Sequence, residues 1–243
     1  NLSEPQSGSD LNNLTTKAVL QEDGTYKITG TKIWIGSGEH DLTDNIIHLV
    51  LARIEGAPGT KGISMFIVPK YLVNDDDSLG NQNNVKCLSI EEKMGIHGSP
   101  TCVMEYTNST GYLIGEENRG LNYMFTTINE ARIRAGGHGL SCATGALQGA
   151  VQYSLDRVQG RPVGMSKEDA KNSTIIDHAD VRRMLMTIKA YTDAMRYMLY
   201  DNQMMLDLSY YADDDLKDFG TERCGLLTPI TKSWISDLSV ELT

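Results

Sequence analysis

A run of small and polar residues, Glu4-Pro5-Gln6-Ser7-Gly8-Ser9-Asp10, is followed 24 residues after Asp10 by Trp34, within Lys32-Ile33-Trp34-Ile35-Gly36-Ser37-Gly38. Small residues let a backbone approach a ligand closely and offer it N–H and hydroxyl donors. An indole on a strand offers a flat apolar face. A small-residue loop and an aromatic strand at this spacing suit a flavin site. Other chemistry finds no support in the residues. There is no Gly-x-Ser-x-Gly, and Gly98-Ser99-Pro100 lacks the glycine that a nucleophile elbow needs. No Gly-x-Gly-x-x-Gly joins a strand to a helix. His138 and Cys142 stand four apart on a predicted helix, but no second ligand pair lies near them, so no metal site is expected. Asp75–Asp77 and Asp213–Asp215 read as solvated loops without ligand spacing.

Two kinds of element would have to position these residues. Residues 1–112 read as strands: Tyr26 to Ser37, Asp44 to Arg53, Gly62 to Val68, Val85 to Ser89 and Thr101 to Tyr106. Short β-rich runs separated by Gly, Asn, Asp and Pro predict an antiparallel barrel or sandwich. From Gly120 the period changes. Ile133, Gly137, Leu140, Thr144, Leu147 and Val151 step by three and four, as on one long helix with a buried stripe. Gly136, Gly137 and Gly139 each cost roughly 1 kcal/mol of helix propensity, so they predict close approach of a backbone or a ligand. A second helix runs from about His178 to Leu206, after a loop from Gly160 to Ser173, and a third begins after Pro229. The expected architecture is α+β: an antiparallel β-domain over 1–112, then a partial antiparallel helical bundle over 113–243.

Composition narrows the partners. The formal charge of −10 argues against a nucleic-acid or anionic-membrane surface. Four cysteines, none in a Cys-x-x-Cys pair, read as reduced thiols of a reducing, cytoplasmic (bacterial) compartment. No apolar run reaches membrane-spanning length.

Four segments in order resemble the acyl-CoA dehydrogenase family. Ser3-Glu4-Pro5 through Gly8-Ser9-Asp10 resembles its Thr-Glu-Pro-x-x-Gly-Ser-Asp loop, and Gly30-Thr31-Lys32-Ile33-Trp34-Ile35 its Gly-x-Lys-x-Trp-Ile strand. Lys93-Met94-Gly95-Ile96-His97-Gly98-Ser99 resembles its Lys-x-Gly-x-x-Gly-Ser turn, and Gly115 to Gly120 its lead-in to the helical domain. Gly38-Glu39-His40-Asp41, Arg157-Val158-Gln159-Gly160-Arg161 and His178-Ala179-Asp180-Val181-Arg182-Arg183 resemble the 3-methylmercaptopropionyl-CoA dehydrogenase-like subgroup. The resemblance covers a middle β-domain and part of a C-terminal helical domain, so the chain is expected to be a fragment that begins inside a larger protein.

The resemblance implies FAD-dependent α,β-desaturation of an acyl-CoA thioester, with electrons passed to an electron-transfer flavoprotein and with a homodimer or homotetramer as the working unit. An acyl-CoA oxidase, or an inactive truncated or pseudo-enzyme subunit, is the alternative. It implies cofactor contacts for Leu2 and Ser3 beside the flavin pyrimidine, for Gly8 in a positive-φ turn, and for Ser9, which also touches the substrate's CoA portion. Trp34 would flank the isoalloxazine, followed by Ile35 and Gly36. Where many relatives have Thr, Gly36 leaves only backbone or Ser37 near flavin N5. Asn129 and Arg132 fall at substrate-side positions. Arg157 falls at a position that reaches the FAD pyrophosphate of a neighbouring subunit, Gln159 follows it, and His178 falls at another cofactor-side position. The family's carboxylate base stands either in a late C-terminal loop, expected beyond Thr243, or immediately before the position of Arg132. Here that residue is Ala131, and Glu130 is turned away by about 100° of helix. No catalytic base is therefore expected within the chain.

Overall fold

The structure, a computed structural model, describes residues 1–54 and 59–243. It divides into two compact units, Asn1–Thr126 and Thr127–Thr243.

The first unit contains β1 (Lys17–Leu20), β2 (Tyr26–Gly36), β3 (Ile47–Ile54), β4 (Ile63–Pro69), β5 (Tyr71–Val73), β6 (Leu79–Gln82), β7 (Val85–Ile90) and β8 (Thr101–Leu113). Six strands pair in the order β2-β1-β3-β4-β8-β7, and a further pairing of β2 with β8 closes β2, β1, β3, β4 and β8 into a barrel, with β7 paired to β8 alone. Closure leaves β2 with no free edge. The expected antiparallel β-fold is present, with one parallel pair, β1 beside β3. A small hairpin of β5 and β6 stands apart from the barrel sheet. The barrel is filled by Ala18, Tyr26, Ile28, Val50, Phe66, Val68, Met104 and Tyr106, with the Tyr26 and Phe66 rings 4.9 Å apart.

On β2, Tyr26 and Ile28 alternate inward as expected, but the next buried side chain is Lys32. Two bulges interrupt its pairing with β8, the second between Lys32 and Ile35. A bulge adds an unpaired residue and re-aims the side chains beside it. Here it frees Ile33 and Trp34 from the β8 ladder.

The second unit is built on three helices: α1 (Gly120–Asp156), of which residues from Thr127 onward belong here, α2 (Ala179–Tyr211) and α3 (Asp214–Leu242). Helices α2 and α3 run antiparallel, since Gly220 packs against Met205 and Ser209 while the earlier Asn202 bonds the later Thr231. Ile133, Leu140, Ala143, Met195, Leu199, Cys224 and Ile235 share one core. The glycines of α1 do serve a close backbone approach. A Cβ on Gly136 would sit 3.3 Å from the Thr231 carbonyl oxygen, and one on Gly139 would sit 3.1 Å from that of Ile235.

The third helix departs from expectation. It begins at Asp214 rather than after Pro229, and Pro229 lies inside it. Proline removes one helical hydrogen bond and usually ends or kinks a helix. Here Cys224, Thr228, Thr231 and Ile235 are buried on both sides of it. Tertiary burial overrides the local breaker. Asp214 and Asp215, expected in a loop, lie in the first turn of α3, where the helix dipole favours negative charge.

Candidate functional site

The N-terminal segment lies against the bulge of β2. Ile33 N–H donates to Ser3 O at 2.9 Å, and Lys32 Nζ donates to Leu2 O at 3.1 Å. Glu4 and Ser7 exchange two backbone bonds of 2.7 and 3.0 Å, so Pro5 and Gln6 make the reversal. This corrects the expectation for Gly8. Its φ is not positive and no atom lies within 4 Å of a Cβ built on it, because the turn is closed before the chain reaches it. Gly8 and Ser9 follow as exposed residues.

Glu4 anchors the whole arrangement. It is 2 % exposed, and Lys32 is 0 % exposed. The two form an ion pair of 2.9 Å. The Glu4 carboxylate also accepts from Thr15 N at 2.7 Å, Thr15 Oγ1 at 2.8 Å, Thr16 N at 3.0 Å, Thr16 Oγ1 at 2.5 Å and Gln6 Nε2 at 2.6 Å. Thr16 reaches it only because residue 30 is glycine: a Cβ there would stand 2.3 Å from Thr16 Oγ1. Burial pushes the Glu4 carboxyl up, but Lys32 and the threonine donors outweigh it and hold it at about 2. Burial drives the Lys32 ammonium down to about 8, against the pull of Glu4. The two displacements are of similar size. The attraction within a buried ion pair is largely offset by desolvation, so the effect of this pair is to fix geometry.

Trp34 is 61 % exposed and has φ of 61°. A bulky side chain in the left-handed region is an outlier that costs on the order of 1–3 kcal/mol. The bulge and its bonds to Ser3 hold it there, and the indole stands off the barrel. Ile35 rejoins the ladder opposite Cys102 and packs on the barrel core. Gly36 is exposed with open space beside it. Ser37 has φ of 53° and donates its N–H to Pro100 O at 2.7 Å.

The remaining expected residues lie in the second unit. Asn129 and Arg132 are half-buried on α1, while Ala131 between them is exposed. Glu130 pairs with Arg134 at 3.2 Å. Arg157, Gln159 and His178 come together although 19 residues separate the last two. His178 Nε2 donates to Gln159 O at 3.0 Å, Arg157 reaches Gln159 Oε1 at 3.4 Å, and Ile175 N–H closes the loop onto Arg157 O at 2.8 Å. Gly160, at φ of 66°, lies under the His178 ring. The Arg157 side chain is exposed, so most of its donors face outward.

Sequence reasoning assigned no role to Glu4 or Lys32, the two most buried charges of the site. A signal was available: a lysine at an inward strand position needs a carboxylate, and Glu4 stands in the adjoining motif.

The geometry now meets what is known of similar chains. Residues 1–109 match the family model described as the acyl-CoA dehydrogenase middle domain. Over its whole length the chain is 45 % identical to the 3-methylmercaptopropionyl-CoA dehydrogenase of Ruegeria pomeroyi. The chain belongs to the acyl-CoA dehydrogenase family. It spans 41 % of the length of that relative, and 40 % of a butyryl-CoA dehydrogenase of Syntrophomonas wolfei, to which 98 % of it aligns at 38 % identity. Its fold matches that of Caenorhabditis elegans ACDH-11 in complex with C11-CoA, with a TM-score of 0.82 at 22 % identity, over 99 % of this chain and 38 % of the other. The β-barrel unit and the helical unit of this family member match the expected α+β fold class. Among the described residues no helix is long and apolar enough to cross a membrane.

Proposed function

We propose that this chain is the flavin-seating part of an FAD-dependent acyl-CoA dehydrogenase acting on an acyl-CoA thioester. The observation that carries the reading is the outward, left-handed Trp34 on a bulge bonded to Ser3. The residues fit the group. A flat apolar face stands beside a backbone segment whose Leu2 and Ser3 N–H groups make no hydrogen bond among the described residues. Unpaired N–H groups beside an exposed ring suit a heterocycle with acceptors along its edge. FAD would supply the acceptor for a hydride from the substrate's β-carbon while a base removes the α-proton.

The chain's own residues bind and orient. Leu2, Ser3, Trp34 and the backbone of Ile35 and Gly36 seat the ring, with Gly8 and Ser9 beside it. Arg157 offers outward donors suited to a pyrophosphate, with Gln159 and His178 holding its loop; we assign these three to the cofactor of a second subunit, in a homodimer or homotetramer. Asn129 and Arg132 face the acyl-CoA. The names of the relatives favour a dehydrogenase over an oxidase; we assign an electron-transfer flavoprotein as the electron acceptor by family resemblance. Glu130 is committed to Arg134 and Ala131 has no carboxylate, so proton removal falls to a group outside residues 1–243.

The test has two parts. Protein incubated with FAD and passed through gel filtration should retain a yellow flavin; a colourless protein fraction would overturn the reading. Residues 1–243 loaded with FAD should leave the flavin oxidised when butyryl-CoA is added anaerobically. Bleaching that Glu130→Gln abolishes would place the base in this chain and contradict the assignment.

A further inference from the structure

Two consecutive carbonyls of the N-terminal segment are gripped by β2. Lys32 Nζ holds Leu2 O at 3.1 Å, and Ile33 N–H holds Ser3 O at 2.9 Å. The described residues contain no cis peptide bond. In a planar trans peptide the N–H lies opposite the C=O. Gripping Leu2 O therefore turns the Ser3 N–H away from Lys32, and gripping Ser3 O turns the Glu4 N–H away from Ile33. The Glu4 N–H is consumed by Ser7 O at 2.7 Å. The Ser3 N–H makes no bond among the described residues. Lys32 itself is fixed by the buried Glu4 carboxylate, which Thr15, Thr16 and Gln6 saturate from the other side. The ion pair is thus a clamp with one free output, a single aimed backbone donor.

We propose that Lys32 and Glu4 are positioning residues: through the Leu2 carbonyl they aim the Ser3 N–H at an acceptor on the edge of the flat heterocycle that lies on Trp34. The proposal rests on the flavin reading above. Neither Lys32 nor Glu4 touches the ligand. A buried pair of small net worth is a suitable holder, since replacing both charges together removes the grip without leaving one charge stranded.

The experiment compares parent protein with two variants, reading FAD affinity, the visible absorption of bound flavin, and the melting temperature of the flavin-free form. Glu4→Gln combined with Lys32→Met removes the clamp and keeps the volume. Ser3→Pro removes the donor and keeps the clamp. The loss of one aimed hydrogen bond corresponds to about tenfold in affinity. Expected for both is a tenfold weaker FAD complex, with an absorption band moved toward that of free FAD. Because Ser3→Pro leaves the ion pair intact, it decides the matter if the double variant fails to fold. Parent affinity and spectrum in Ser3→Pro, or a fall in melting temperature with an unchanged flavin spectrum in the double variant, would overturn the proposal. A parent protein that takes up no FAD would instead overturn the flavin reading itself.

Discussion

The two units use hydrophobic residues differently. In the barrel both neighbours of β2 are paired with it, the interior is filled, and the inward charges Glu4 and Lys32 bond each other. In the helical unit one seam is packed, around Ile133, Leu140, Leu199 and Ile235. Elsewhere Leu147, Val151, Ile176, Leu185 and Met186 line an open groove of about 640 Å³ between α1 and α2. The difference lies in closure. A barrel satisfies its own edges, whereas three helices bury only the stripes that face one another. The barrel should therefore answer sharply to single changes, and the helical unit only along its seam.

The largest effects should fall on the barrel. Lys32→Met strands the Glu4 carboxylate and should cost about 3–5 kcal/mol in chemical denaturation. Phe66→Ala, at a fully buried ring, should cost a similar amount. A loss below about 1 kcal/mol in both would remove the contrast between the units. Along the helical seam, Gly139→Val would press against the Ile235 backbone and should cost about 1–3 kcal/mol, read as lost hydrogen-exchange protection in α1 and α3.

Acid should reveal the Glu4 anchor. Its carboxyl is held at about 2, below the ordinary 4.5, so its contribution is complete above that ordinary value and is lost as pH falls from 4.5 toward 2. The denaturation midpoint should drop across this window, and the drop should shrink in Glu4→Gln. Trp34→Gly relieves a left-handed aromatic and should leave stability within about 1 kcal/mol of the parent while weakening FAD uptake. An equal loss of stability and flavin would make the indole structural. Met186→Ser, on the open groove, should change stability by no more than about 0.5 kcal/mol.

Much of this was legible from residue order. The strand period exposed β2, β3, β4, β7 and β8, while β1, β5 and β6, at 4, 3 and 4 residues, are too short to show one. The glycines of α1 announced a close approach without naming α3 as the partner. Pro229 concealed the first half of α3, because a breaker is visible locally and the burial that overrules it is not. The loop and the indole were legible as a site through composition and resemblance. Their support was not, since Lys32 breaks the alternation of β2 for a reason lying 28 residues earlier in the chain. The cluster of Arg157, Gln159 and His178 was named by resemblance alone, and only the fold shows His178 bonding back to Gln159.

Only two tryptophans are present, Trp34 and Trp234. In the Trp234→Phe variant the sole indole emission comes from the proposed flavin face. Titration with FAD, corrected for absorbed light, should quench that emission to saturation at one FAD per chain. Flavin that co-purifies with the protein while the Trp34 emission stays at its starting level would contradict the placement of the ring on the β2 bulge.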